Sequence, residues 1–151
     1  MHLPDEAATS ALGARLARVL VPGLSLHLRG DLGSGKTTLV RGLLRGLGYA
    51  GRVKSPTYAL VELYIVSRLN LYHFDFYRFR DPKEWRDAGL DEYFNDNAVC
   101  LVEWPEKVAD LLPAADLAIA FEFAGDGRDI SVRAGTESGK ACLNRMMQLP
   151  L

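Results

Sequence analysis

Cysteine is scarce in this chain: Cys100 and Cys142 are the two among 151 residues, and they form no C-x-x-C pair. Cys100 lies inside the apolar run "AVCLVEW", where a thiol behaves as a small hydrophobe, so the sequence indicates a reducing compartment and no thiol chemistry. No apolar run reaches the ~20 residues needed to span a bilayer, and "MHLPDEAATSALGARLARVL" lacks the basic start and unbroken apolar core of a signal peptide. The expected location is the cytoplasm, with no membrane partner. An excess of positive charge is missing too, since 18 Lys and Arg face 19 Asp and Glu for a formal net charge of -1. Without a global positive field, any association with RNA is expected to be indirect, through other proteins. The sequence has neither an N-K-x-D guanine clamp nor a D-x-x-G segment, which argues against a GTPase. Repeats and low-complexity linkers are absent as well. The length is that of one domain with a proper core, residues 1–151.

What is present reads as alternating strands and helices. "DEAATSALGARLARVL" sets Leu12, Leu16, Val19 and Leu20 at helical spacing behind an acidic start, and Pro22-Gly23 breaks the pattern. "LSLHL" alternates as a strand with Leu24, Leu26 and Leu28 on one face. "TTLVRGLLRGLG" then carries Leu39, Val40, Leu43, Leu44 and Leu47 at helical spacing and ends at Gly48 as a helix C-cap would. "SPTYALVELYIV" and "LNLYHFDFYRF" read as two adjacent strands separated by the polar pair Ser67-Arg68. Asp81 before Pro82 reads as the N-cap of a short helix. "AVCLVEW" has the pattern of a strand buried on both faces. "DLAIAFEF" and "RDISVRA" read as a hairpin around "AGDG", and "ESGKACLNRMMQL" as a closing helix. The expected fold is α/β: a three-layer arrangement with a mixed, mostly parallel central sheet flanked by helices.

Between the "LSLHL" strand and the "TTLVRGLLRGLG" helix lies "GDLGSGKT". Gly30, four residues, Gly35, Lys36 and Thr37 match G-x-x-x-x-G-K-[ST] without a mismatch, in the strand-then-helix context that motif requires. Glycines let the backbone wrap so that consecutive N–H groups face phosphate oxygens, and the helix start adds the positive end of its dipole. The loop is therefore expected to hold a nucleoside triphosphate on Gly30, Gly33, Ser34, Gly35, Lys36, Thr37 and Thr38. Lys36 would bridge the terminal phosphates, and the Thr37 hydroxyl would ligate Mg²⁺.

Such a loop needs a metal-side acid at the end of a neighbouring buried strand, and "AVCLVEWPE" supplies Glu103. In "YHFDFYRF", period-two alternation puts His73, Asp75 and Tyr77 on one face and Tyr72, Phe74 and Phe76 on the other, read as the core face. An acid on so aromatic a strand needs a partner. Asp75 is thus the second acid, either holding a metal-bound water or acting as base on the attacking water. His73 reads as a hydrogen-bonded structural residue, and Arg78 as a surface ion-pairing residue rather than an arginine finger. Thr57 in "KSPTYALVE" stands either as a switch hydroxyl sensing the terminal phosphate or as an ordinary edge-strand threonine. Trp104, beside Glu103, is open to stacking on the base or to packing in the core.

"GDLGSGKTTLVRGLLRGLG", "VKSPTYALVELY", "YHFDFYRF" with its following "DP", and "CLVEWPEK" together resemble the TsaE family, also called YjeE, in order and spacing over nearly the whole chain. The resemblance implies a P-loop ATPase that binds ATP with Mg²⁺. It also implies work with the proteins TsaD and TsaB in building the threonylcarbamoyl group onto the adenosine beside the tRNA anticodon, with hydrolysis resetting that complex between turnovers. Such a subunit is expected to be slow alone and activated by its partners. Carried onto this sequence, the resemblance implies that Lys36 and Thr37 contact phosphate and Mg²⁺, and that Glu103 is the acidic Mg²⁺ partner. It further implies that Thr57 is the switch threonine, Asp75 the acid needed for turnover and Asp5 a contact to adenine. The alternative is a small-molecule P-loop kinase, with Arg78, Arg80 and Arg86 available to a phosphate-closing lid.

Overall fold

The computed structural model describes residues 1–66 and 69–150. The Ser67-Arg68 pair expected to separate two strands lies outside the described residues, as does Leu151. Seven strands form one sheet: β1 (His2–Leu3), β2 (Ser25–Arg29), β3 (Val61–Val66), β4 (Leu69–Asp75), β5 (Ala98–Glu103), β6 (Leu117–Ala124) and β7 (Gly127–Ala134). Their order is β1-β7-β6-β2-β5-β4-β3. The four central strands, β6, β2, β5 and β4, run parallel, while β3 on one side and β7 and β1 on the other pair antiparallel. This is the mixed, mostly parallel sheet that the alternating pattern implies.

Helices α1 (Glu6–Ala17), α2 (Lys36–Gly46) and α4 (Glu137–Gln148) cover one face of the sheet. Leu12 and Leu16 of α1, Leu39 and Leu43 of α2, and Cys142 and Met146 of α4 join Leu26, Leu28, Leu101 and Leu117 of the strands in one cluster. The opposite face is closed by the short α3 (Glu84–Asp87) and two 3-10 turns, Leu90–Tyr93 and Pro105–Val108. There Phe74, Phe76, Phe79, Trp85 and Val102 make a second, aromatic cluster. Both cysteines are free and buried, and burial pushes the Cys100 thiol up to about 12, as an unreactive thiol requires.

Four local readings shift. α1 stops at Ala17, so Val19 and Leu20 reach the core from the connection beyond it. Residues 55–60 form a turn rather than the start of β3: the Leu60 amide bonds to the Pro56 carbonyl at 2.8 Å and Leu60 sits at φ 69°. Thr57 is therefore not an edge-strand residue. α3 begins at Glu84 with Lys83 as its N-cap; the Asp81 carboxylate instead caps the preceding turn at the Lys83 amide, 2.9 Å away. Finally, β4 is buried on both faces. Phe74 is sealed in the aromatic cluster, as expected, but His73 and Asp75 opposite it are buried too. They share their face with Leu71, which belongs to the cluster under the three long helices.

Candidate active site

Period-two alternation explains how the acids meet. Leu71, His73 and Asp75 of β4, and Val99, Leu101 and Glu103 of β5, point to the face covered by α2, and parallel pairing sets Asp75 directly beside Glu103. Both strands end where α2 begins. Leu28 of β2 is the other register partner of Glu103, so the carboxylate emerges beside the strand that feeds the glycine loop.

The loop, residues 30–35, turns β2 into α2. Gly35 caps the helix at φ 110°, where a β-carbon is strained. Gly30 is excluded from bearing a side chain by space as well, because a β-carbon there would lie 2.6 Å from Ser34 Oγ and 3.0 Å from Phe121. A concave backbone with the orphan first-turn amides of a helix at its end is a cradle for an anion. Ser34 has its hydroxyl buried with no partner among the described residues, and its amide is bonded to the Asp31 carbonyl at 3.1 Å.

Lys36 is 4% exposed, and its ammonium donates to the Gly30 carbonyl and sits 3.9 Å from the centre of the Trp104 ring. Burial lowers its pKa, and Glu103 and Asp75 pull the other way. Thr37 Oγ1 lies 3.5 Å from Glu103 Oε2, and the same oxygen is 2.6 Å from His73 Nε2. His73 is completely buried, and its Nδ1 finds no partner among the described residues. It is thus a hydrogen-bonded residue, as its sequence setting suggested, and the group it holds is the site's own carboxylate. Asp75 accepts from the Tyr77 amide at 2.9 Å and from the Thr57 hydroxyl at 3.2 Å, with Ser55 Oγ a further 2.8 Å beyond. Burial raises the Asp75 pKa and Glu103 adds to the rise, while the Tyr77 and Thr57 hydrogen bonds and the nearby His73 oppose it.

Two clefts border the loop, with Gly33 and Thr37 common to both. One of about 100 Å³ gathers Lys36, Thr57, Asp75, Glu103 and Trp104. The other, about 210 Å³, is lined by Asp5, Gly35, Thr38 and Arg128 among others. The two residues expected near the base are thereby separated: Asp5 caps α1 in the larger cleft, accepting from the Ala8 amide at 2.8 Å, and Trp104 stands with the acids. Trp104 adopts φ 57°, a left-handed conformation costing about 1–2 kcal/mol, held by its contacts with Lys36 and with Tyr77 at 5.0 Å. Arg78 is exposed, stacks on Tyr58 at 4.1 Å and lines neither cleft.

The residue that motif reading misses is Arg128. Its guanidinium donates to the carbonyls of Ser34 (3.0 Å) and Gly33 (2.9 Å) from 94 residues away in sequence. No local pattern marks it, because only strand pairing brings it there. Ser55, two residues before Thr57 in the same turn, is also missed, although its contact with the Thr57 hydroxyl is local.

The donors suit a hard cation. Among the described residues no three His, Cys, Asp or Glu converge on a metal site by themselves. Thr37 Oγ1 and Glu103 Oε2 offer two oxygens, a partial shell of the kind a hard divalent cation can complete with further oxygens.

Residues 3–130 match the family model described as "Threonylcarbamoyl adenosine biosynthesis protein TsaE". A Haemophilus influenzae protein named tRNA threonylcarbamoyladenosine biosynthesis protein TsaE is 43% identical over 92% of this chain and 91% of its own length. A Bacillus subtilis protein of the same name is 44% identical over 87% of this chain and 81% of its own. The crystal structure of Bacillus subtilis YdiB superposes with a TM-score of 0.85 at 33% identity, covering 98% of this chain and 93% of that one.

Proposed function

Since this chain belongs to the TsaE family of threonylcarbamoyl adenosine biosynthesis proteins, we propose that it is that pathway's ATP-binding, Mg²⁺-dependent ATPase, whose hydrolysis resets a TsaD–TsaB complex between turnovers. One observation carries the reading: a buried ammonium, a helix-start hydroxyl and two buried carboxylates converge on one small cleft at the mouth of a glycine loop. Contact with tRNA would run through the complex, in keeping with the near-neutral charge.

Each residue has work that follows from its setting. The loop amides and the start of α2 receive phosphate oxygens. Lys36, poorly solvated where it sits, regains a counter-charge from those phosphates. Thr37 and Glu103 would hold Mg²⁺, which when bound neutralises charge on the transferred phosphoryl group. Asp75 has a carboxylate whose raised pKa strengthens it as a base, and Thr57 and Tyr77 fix its direction toward an attacking water. Thr57 lies on a turn rather than in the ladder, which suits a hydroxyl that re-aims when a terminal phosphate arrives. The kinase alternative draws less support, since Arg78, Arg80 and Arg86 line neither cleft.

The test is phosphate release from ATP and Mg²⁺ by the protein alone and with TsaD and TsaB added. Slow release that the two proteins accelerate is expected. A rate indifferent to them sinks the resetting role, and faster phosphorylation of a small acceptor than of water favours the kinase.

A further inference from the structure

The β6–β7 hairpin carries no motif residue, yet it reaches the glycine loop. Arg128 is anchored on both sides: across from Phe123 on β6 and across from Leu3 on β1. Its guanidinium lies 4.4 Å from the centre of the Phe123 ring and also donates to its neighbour Gly127 at 2.8 Å. The remaining donors span the successive carbonyls of Gly33 and Ser34. A trans peptide is planar, so the carbonyl of one residue and the amide of the next point in opposite directions. Fixing those two carbonyls on the hairpin side turns the amides of Ser34 and Gly35 away from it. The Ser34 amide duly meets the Asp31 carbonyl. A rigid fork is the donor shape this needs; an ammonium reaches both carbonyls less well.

We infer that Arg128 is a positioning residue for the phosphate loop, holding two carbonyls outward so that the loop's amides are aligned before nucleotide arrives. The inference rests on the nucleotide-binding reading above, and it has one readout that does not. In the nucleotide-free protein, Arg128→Ala and Arg128→Lys should both speed hydrogen exchange at the Ser34 amide. Calorimetry with ADP and Mg²⁺ should show affinity falling about tenfold or more in both, the weight of a charge-assisted hydrogen bond. Lysine keeps the charge, so wild-type binding by Arg128→Lys overturns the fork and leaves only electrostatics. Weakened binding with unchanged Ser34 exchange overturns it in favour of direct contact with the ligand, and two unchanged readouts overturn it outright. If the wild type takes up no adenine nucleotide, the functional reading falls, while exchange in the same two variants still decides whether the brace exists.

Discussion

The two halves of the sheet on either side of β2 supply different things to one loop. On the β5-β4-β3 side the contributions are charged and chemical: Glu103, Asp75 and the His73 that grips Glu103. On the β6-β7-β1 side they are steric and structural: Phe121 closes against Gly30, and Arg128 braces the outer carbonyls. The buried carboxylates, costly to place in a core, are confined to one flank, and the contacts that hold the loop backbone come from the other.

Lys36→Ala, at the junction of both halves, should have the largest effect. Loss of about 10²-fold or more in turnover is expected, by analogy with removal of one preorganised charge-stabilising donor, with phosphate release as the measurement. A variant within a few-fold of wild type would mean that neither half serves phosphate. Next, His73→Phe tests the acid half alone by freeing Glu103 Oε2 from its buried partner. The Mg²⁺ concentration needed for nucleotide binding should rise about 10- to 100-fold, as when an outer-shell partner is lost, while binding in the presence of a chelator stays as it was. Equal loss in both conditions would make His73 a fold residue.

The shared strand gives a third effect, on stability and not on turnover. His27 on β2 is buried, and burial, reinforced by Arg29 and opposed by Asp116, holds its pKa down to about 4 against an ordinary 6.5. The unfolded chain takes up the proton first. Stability is therefore full above pH 6.5 and falls as pH drops from 6.5 to 4, at up to about 1.4 kcal/mol per pH unit. His27→Leu should flatten that slope in urea unfolding measured at pH 7 and pH 4.5. The smallest effect belongs to Arg78→Ala, which touches neither half: turnover should change by less than about twofold, as an exposed cation–π pair warrants. A larger loss would restore the arginine-finger role.

The acid half was legible in the sequence because its signals are local. Period-two alternation sorted Asp75 from Phe74, a buried apolar run delivered Glu103 to a strand end, and the glycine spacing stood between a strand and a helix. Asp81 reads as the helix N-cap, but Lys83 takes that place and the Asp81 carboxylate accepts from a turn amide instead; α3 is a single turn with Trp85 buried beneath it. Thr57 read equally as strand or switch; the Pro56 carbonyl bond to Leu60 that makes the turn cannot be inferred from β-branched composition. The bracing half left no trace for a reader of motifs. Arg128 acquires its meaning only when the hairpin and the two-residue β1 close around it, contacts made across most of the chain's length.

One contact between helices bears on all of this. A β-carbon on Gly42 of α2 would lie 2.1 Å from the Ser10 carbonyl of α1, and one on Gly13 of α1 would lie 2.2 Å from the Leu39 carbonyl of α2. The two helices therefore touch spine to spine, and the aperture between the α1 cap at Asp5 and the loop at Gly35 is gauged by a pair of missing methyl groups. A methyl restored at either position would act as a wedge between α1 and α2, whose first turns both line the larger cleft, without altering any side chain in that lining.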